Sequence, residues 1–145
     1  MADDFTGFLP AVPTIRIDDD GRAYVAGSHC SNCGATVPGD RIACAGCGRR
    51  DTIAAVKLGT TGTLYNYTVV HRSYPGVKVP FVAAIVDLAG GGSLRGTLLD
   101  VEPDPATLAY DLPIDVVFRD TGQTSPDGKP FVSYFFVPVQ TQGAA

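Results

Sequence analysis

The fold class that the sequence predicts is mainly β: a rubredoxin-like zinc ribbon followed by a five-stranded OB-type barrel. Two copies of a Cys-x-x-Cys-Gly motif lie in the first third of the chain. From Gly62 onward, short runs of β-branched and aromatic residues alternate with glycine, proline and aspartate. One proline-rich stretch, too short for more than one or two helical turns, separates the third of these runs from the fourth. This order of elements is typical of a small Greek-key barrel.

The segment before the first cysteine reads as extended chain. Two short β-prone runs, residues 14–17 and 23–26, flank an acidic turn that ends in Asp20-Gly21. An Asp-Gly step between such runs is a hairpin signal. We therefore expect residues 1–27 to be an N-terminal extension that forms a hairpin or contacts a partner.

All four cysteines of the chain belong to the two motifs, at Cys30, Cys33, Cys44 and Cys47. Two such turns can present four thiolates to one tetrahedral ion, and the glycine after each motif permits a positive φ. Four thiolates close the coordination shell, so the spacing predicts a structural zinc and not a catalytic one. Iron of the rubredoxin kind could use the same ligands. A pair of redox dithiols is the other alternative, although no helical pattern follows either motif.

Five β-prone runs follow the ribbon, with a Pro-Gly loop after the first and a Gly-Gly-Gly turn after the second. The first three form one meander, and the last carries apolar residues on both faces, which suggests that its outer side is covered. Tyr65 and Tyr67 of the first run are expected to share one face, for packing or for base stacking. The five predicted strands are residues 61–71, 80–88, 92–99, 114–118 and 130–139.

These elements divide the chain into four predicted parts. After the N-terminal extension come a zinc ribbon at residues 28–58, an OB-fold barrel at residues 59–140 and a flexible tail at residues 141–145. The 145 residues suit one domain of ordinary size or a compact domain with a small appendage.

Composition and charge exclude several classes of protein. A hydrophobic fraction of 45% with 18% charged residues is globular. No apolar run approaches the roughly 20 residues of a membrane span, and the chain starts with acidic residues instead of a leader. The formal net charge of −4 disfavours nucleic acid as a partner. The expected compartment is the cytoplasm, where thiols stay reduced.

The sequence offers no catalytic residue once the cysteines are assigned to metal. His29 and His71 are the two histidines, and neither sits in a recognisable arrangement with a nucleophile. The loop after the first barrel strand brings together His71, Arg72, Tyr74 and Lys78. We regard these four as candidates for binding phosphate groups or a partner, against the alternative of a solvated connection.

The ribbon and the strand order together resemble a known family. A C-x-x-C-G…C-x-x-C-G ribbon, then GTLYNYTVVH, PFVAAIVDL, an LRGTL strand and an IDVVF strand, resembles the zinc-ribbon OB-fold accessory proteins of acyl-CoA enzymes. The resemblance covers residues 28–139. It implies zinc at the four cysteines, and it offers His71, Arg72, Tyr74 and Lys78 as contacts to coenzyme A or to a partner.

The resemblance also implies a function. Members of the family are non-catalytic subunits that bind a thiolase-fold protein and assist thiolysis, retro-aldol cleavage or condensation of a CoA thioester, including aromatic and steroid side-chain degradation. We expect a hetero-oligomer, two subunits on a thiolase-like dimer, with acyl-CoA as the substrate of the complex. Two other hypotheses stay open. One is a single-stranded nucleic-acid-binding OB-fold module, and the other is an electron carrier with iron at the cysteines.

Overall fold

The computed structural model describes residues 4–139, in which strands dominate and no α-helix occurs. The predicted tail at residues 141–145 lies outside this range. One 3-10 turn, Pro105–Thr107, is the short helical piece that the proline-rich stretch predicted. The strands are β1 Leu9–Pro10, β2 Ile15–Ile17, β3 Ala23–Cys30, β4 Thr36–Pro38, β5 Ile53–Lys57, β6 Thr61–Val70, β7 Phe81–Leu88, β8 Ser93–Leu98, β9 Pro113–Thr124 and β10 Pro130–Pro138.

The chain forms two compact units. The first contains residues up to Gly59, the Gly90–Gly92 turn and Phe118–Tyr134. The second contains Thr60–Ala89, Ser93–Val117 and the chain from Phe135 onward. None of the helices in the described range has the length and apolar content needed to cross a bilayer.

The N-terminal hairpin of the first unit is present where the Asp-Gly step predicts it. Strands β2 and β3 pair antiparallel, with Ile15 opposite Val25. The carboxylate of Asp18 accepts hydrogen bonds from the amides of Asp20 and Arg22, each at 3.0 Å, and so closes the turn. Sequence and structure agree here because both the turn chemistry and the pairing are local.

Strand β3 continues beyond this hairpin and becomes the centre of the ribbon. It pairs antiparallel with β4 and with β5, and Cys30 at its end lies opposite Ile53. Gly27 must be glycine, because a Cβ atom there would lie 2.5 Å from a methyl carbon of Leu58. One strand therefore connects the N-terminal hairpin to the first cysteine.

A small apolar cluster holds the first unit together. Phe5, Ile15 and Val132 are buried in it, and Phe8 and Phe118 pack against it. Leu9 of β1 lies opposite Phe131 of β10 in a parallel pairing. The N-terminal segment thus packs on Val132 of β10 and pairs with the edge of that strand.

The barrel is a closed ring of five strands, as the sequence predicts. Strands β6, β7 and β8 form an antiparallel meander, β8 pairs with β10, and β9 pairs with both β6 and β10. Gly62 lets β6 approach β7 closely, because a Cβ atom there would lie 2.3 Å from the carbonyl oxygen of Asp87. The fully buried side chains of this unit are Leu64, Val86, Ile114 and Phe136.

The expectation that Tyr65 and Tyr67 share one face is wrong. A β-bulge between Leu64 and Asn66 inserts Tyr65 as an unpaired residue and shifts the alternation of β6. Tyr65 is 61% exposed, whereas Tyr67 is half-buried and lies opposite Ala84. The ring of Tyr67 packs against that of Tyr110 at 5.7 Å between centroids, so it is not free to stack on a base.

Candidate metal centre and ligand loop

The two cysteine motifs fold into matching turns. The amide of Gly34 donates to the carbonyl of Cys30 at 2.9 Å, and the amide of Gly48 donates to that of Cys44 at 3.0 Å. Both glycines have a φ of 81°. A Cβ atom at either position would meet no atom within 4 Å, so backbone conformation and not crowding requires glycine there.

The turns bring all four thiols together. Every sulfur of Cys30, Cys33, Cys44 and Cys47 lies within 4.8 Å of the others. The Cys30 and Cys47 sulfurs are 3.7 Å apart, and those of Cys33 and Cys44 are 3.4 Å apart. A tetrahedral ion with metal–sulfur bonds of about 2.3 Å requires sulfurs about 3.8 Å apart. The four thiols can therefore hold one tetrahedral ion with small adjustments.

The two cysteines of each motif differ in exposure. Cys30 and Cys44, the first of each pair, are buried, whereas Cys33 and Cys47 are exposed. All four sulfurs point to one centre, so an ion held there has no open position for a substrate. In the described part of the chain, no other group of three or more histidine, cysteine or acidic side chains could hold a metal.

Hydrogen-bond donors surround the sulfurs. The hydroxyl of Thr52 lies 3.2 Å from the Cys30 sulfur, and the side-chain amide of Asn32 donates to the Cys47 sulfur at 3.5 Å. The amides of Gly46 and Cys47 donate to the Cys44 sulfur at 3.2 and 3.3 Å. Donors of this kind stabilise thiolate over thiol, which is the form that binds metal.

The pKa values follow from these contacts. The hydroxyl of Thr52, followed by the Cys33 amide, lowers the pKa of Cys30 to about 6. The Cys47 and Gly46 amides lower the pKa of Cys44. The amide of Ala35, the largest single influence, lowers the pKa of Cys33, but the thiols of Cys44, Cys47 and Cys30 together with burial outweigh it and raise the pKa to about 11. Thiolate is thus favoured at the two buried cysteines, where the ribbon supplies donors.

His29 does not join the sulfur cluster, although it precedes Cys30. Its Nδ1 atom lies 2.8 Å from the hydroxyl of Thr36 on β4. The contact joins neighbouring strands of the ribbon sheet, because His29 and Thr36 are directly opposite in the pairing. His29 therefore makes a cross-strand contact within the ribbon sheet and is not part of the metal centre.

The four loop candidates lie between β6 and β7, and all four are exposed. Lys78 lines a cavity of about 440 Å³ beside Phe81 and Leu98. His71, Arg72 and Tyr74 do not line it, and Tyr74 is 83% exposed. The structure thus brings one candidate to a cavity and leaves the other three on the open surface of the loop.

Sequence reasoning missed two donors to the cluster, Thr52 and Asn32. The position of Asn32 inside the first motif was a usable signal, because a residue between two ligands lies close to them. Thr52 is 22 residues from Cys30 and reaches it only through the pairing of β3 with β5. No local pattern indicates that contact.

Fold and site together define a class of protein in which a four-cysteine ribbon accompanies an OB-fold barrel. Residues 55–119 match the family model described as the C-terminal OB-fold domain of ChsH2. These residues contain β6, β7 and β8, together with the 3-10 turn.

Curated relatives extend the likeness to most of the chain. A DUF35 domain-containing scaffold protein of Methanocaldococcus jannaschii is 29% identical over 82% of this chain and 84% of that protein. One of the same name from Methanothermobacter thermautotrophicus is 29% identical over 79% of this chain and 85% of that protein. A probable enoyl-CoA hydratase alpha subunit of Thermomonospora curvata is 31% identical over 61% of this chain but only 28% of that protein.

The likeness extends to solved structures. A chain of the Ltp2-ChsH2(DUF35) aldolase superposes with a TM-score of 0.60 at 24% identity, over 79% of this chain and 84% of that chain. Together with the family model and the DUF35 relatives, this match confirms the predicted resemblance to the zinc-ribbon OB-fold accessory proteins of acyl-CoA enzymes.

Proposed function

We propose that this chain is a non-catalytic subunit of a thiolase-like acyl-CoA enzyme complex. It stabilises a thiolase-fold partner and helps to bind the CoA thioester, while the partner cleaves the thioester by thiolysis or by a retro-aldol reaction. Degradation of aromatic compounds or steroid side chains is the setting that we propose for this reaction. The compartment that we propose is the cytoplasm, where the four thiols stay reduced.

The observation that carries this proposal is the likeness to scaffold proteins over nearly their whole length. Two curated relatives named as DUF35 scaffold proteins align over 84% and 85% of their own chains. The solved structure with the same fold is titled an aldolase that contains a ChsH2(DUF35) component. The enoyl-CoA hydratase subunit among the relatives supports a CoA thioester as the substrate class.

The chemistry of the side chains agrees with an accessory role. All four thiols point to one centre, so a bound ion would leave them unable to act as nucleophiles. In the described range, His71 is exposed and forms no hydrogen bond or ion pair with another side chain. A general base needs a nucleophile or substrate group within hydrogen-bond reach, and this chain supplies none to His71.

The ion that we propose for the cluster is structural zinc. The sulfur distances fit a tetrahedral ion of that size, and few large apolar residues lie between Cys30 and Cys47 to order the segment without one. Zinc would fix the ribbon, and the donors at Cys30 and Cys44 would stabilise its thiolates. Elemental analysis of colourless protein with one zinc per chain supports this assignment, whereas coloured protein with iron supports the electron-carrier hypothesis.

Co-purification tests the proposal directly. Full-length chain, tagged and expressed in its native host, should retain a thiolase-fold protein through size-exclusion chromatography. The mass of the complex should correspond to two copies of each chain. The isolated chain should not cleave acyl-CoA, and the complex should. Thioester cleavage by the isolated chain that is lost in His71→Ala would overturn the proposal, and so would salt-dependent oligonucleotide binding without a protein partner.

A further inference from the structure

The four-thiol cluster places exposed sulfurs in contact with buried ones. Cys33 and Cys47 are exposed, and each lies beside a buried cysteine of the other motif. The Cys33 sulfur is 3.4 Å from that of Cys44, and the Cys47 sulfur is 3.7 Å from that of Cys30. Each contact therefore joins a sulfur that a small solute can reach to one that the ribbon shields from solvent.

The two motifs also approach each other closely around these contacts. A Cβ atom at Gly46 in the second motif would lie 3.3 Å from the Cys33 sulfur of the first. In the opposite direction, the side-chain amide of Asn32 donates to the Cys47 sulfur at 3.5 Å. A disulfide bond is about 2.05 Å long, so the sulfurs of each pair need to approach by only about 1.5 Å to form one.

Exposure and thiolate character decide which cysteines are oxidised by peroxides. Metal binding keeps cysteine ligands in the thiolate form, so in the zinc-loaded chain Cys33 and Cys47 meet both conditions. Met1 is the one sulfur-containing side chain of the sequence outside the cluster. The metal centre therefore holds nearly all the sulfur that a peroxide can oxidise in this chain.

We infer that the metal centre is a reversible oxidation site, at which peroxide converts the four thiolates into two disulfides that cross between the motifs. The pairs are Cys33 with Cys44 and Cys30 with Cys47. This inference goes beyond the accessory role and rests only on the structural zinc that we propose above. Disulfides in the cytoplasm are usually transient and serve redox sensing or catalysis, and a reversible site is of that kind.

The reaction balances with peroxide as the oxidant. An exposed thiolate attacks one peroxide oxygen, the O–O bond breaks, and the products are a sulfenic acid and hydroxide. The buried thiolate beside it then attacks the sulfenic sulfur, forms the S–S bond and displaces a second hydroxide. Each disulfide thus consumes one peroxide, which takes up two electrons. Disulfide sulfurs carry no charge, so the oxidised cluster releases the ion. A dithiol reductant regenerates the thiols by exchange and is itself oxidised to a disulfide.

Trypsin distinguishes the possible pairings, because Arg41 lies between the motifs. Cleavage after arginine places the first motif in residues 23–41 and the second in residues 42–49. After treatment with hydrogen peroxide, zinc-loaded full-length chain should lose its zinc and all four free thiols, and these two peptides should be found linked. Untreated chain, alkylated before digestion, should give the two peptides separately. Dithiothreitol with added zinc should restore the thiols and the bound zinc.

Histidine substitutions test which sulfurs pair. Cys33→His retains three cysteines and one histidine, a set of ligands that zinc accepts, and leaves Cys44 without its partner. Peroxide should then join Cys30 to Cys47 and leave Cys44 open to alkylation. Cys47→His should instead join Cys33 to Cys44 and leave Cys30 free. The matched control is Ser31→Ala, at an exposed position inside the first motif, which should behave as wild type.

Several results would overturn the inference. One is a pair of separate peptides with a disulfide inside each, since the motifs would then act as two independent redox dithiols. Retention of zinc and of all four thiols in a large excess of peroxide is another, and so is oxidation to sulfinic acid without linked peptides. A disulfide at Cys44 in Cys33→His would contradict the assigned pairs.

These results leave co-purification with a thiolase-fold partner intact, so failure of the oxidation site and failure of the accessory role give different outcomes. Iron instead of zinc in the untreated chain would contradict the structural zinc itself.

Discussion

The hydroxyl oxygen of Thr52 lies 3.2 Å from the sulfur of Cys30, and it is the largest single cause of the low pKa of that thiol. The contact joins two strands, because Thr52 immediately precedes β5 and Cys30 ends β3. In metal sites, partners of this kind orient a ligand and tune its basicity. Thr52 is therefore a positioning residue for the candidate metal centre.

Replacing Thr52 should weaken metal binding at the four cysteines. Thr52→Val keeps the volume and removes the hydroxyl, so we expect about tenfold faster transfer of zinc to a chromogenic chelator. Thr52→Ser keeps a hydroxyl and should release zinc close to the wild-type rate. Equal release from wild type and Thr52→Val would contradict the assigned role.

Removing the metal should unfold the ribbon and spare the barrel. Between the motifs there is little apolar burial to replace metal–ligand bonds, whereas the barrel has a core around Leu64 and Phe136. Treatment with chelator under reducing conditions should abolish amide protection in residues 30–52, and protection in β7 should persist. Restoring zinc should restore the ribbon. Persistent protection near Cys44 in metal-free protein would refute this dependence.

Gly62 should tolerate no side chain. A Cβ atom there would lie 2.3 Å from the carbonyl oxygen of Asp87, so Gly62→Ala must push β6 away from β7. We expect a loss of about 1–3 kcal/mol in the free energy of unfolding. Chemical denaturation measures it, with Ser73→Ala in the exposed loop as the control. A change as small as that of the control would mean that the strands separate at little cost.

Asp18 should make stability depend on pH. The Arg22 amide holds the pKa of Asp18 below its usual 3.8, with smaller contributions from the Asp20 amide and Lys57. A lowered pKa in the folded state means that this contribution is complete above 3.8 and is lost as pH falls through the folded value. Asp18→Ala should therefore be less stable than wild type at neutral pH, and the difference should shrink in acid.

Chemical denaturation of wild type and Asp18→Ala, from neutral pH into acid, measures how the difference in their stability depends on pH. Asp19→Ala is the matched control, because the neighbouring Asp19 carboxylate forms no hydrogen bond or ion pair in the described range. A difference between wild type and Asp18→Ala that stays constant into acid would exclude the carboxylate as its source.

Local signals in the sequence were sufficient for much of this structure. Each cysteine motif predicted the turn that it forms, because that turn depends on the glycine that directly follows the second cysteine of the motif. The hairpin around Gly21 and the meander of β6, β7 and β8 also follow from turn residues and short β-prone runs.

Features that depend on distant partners were not predictable. The contact from Thr52 needs the register of β3 against β5, and the bulge at Tyr65 needs the register of β6 against β7. Strand β9 extends to Thr124, beyond the predicted end at residue 118, although its last residues are polar. Its continuation depends on pairing with β10, which the apolar pattern of a single segment does not encode.

Strand β3 runs without a break from the N-terminal hairpin to Cys30. A metal bound at Cys30 would therefore also fix how β3 aligns with its neighbouring strands. Sliding this strand by one residue would withdraw Cys30 from the other three sulfurs and turn Val25 away from the interior. An ion that accepts only the correct ligand geometry would exclude the slipped pairing. The metal–sulfur bonds that close the ribbon would therefore also fix the strand register of the hairpin that precedes it.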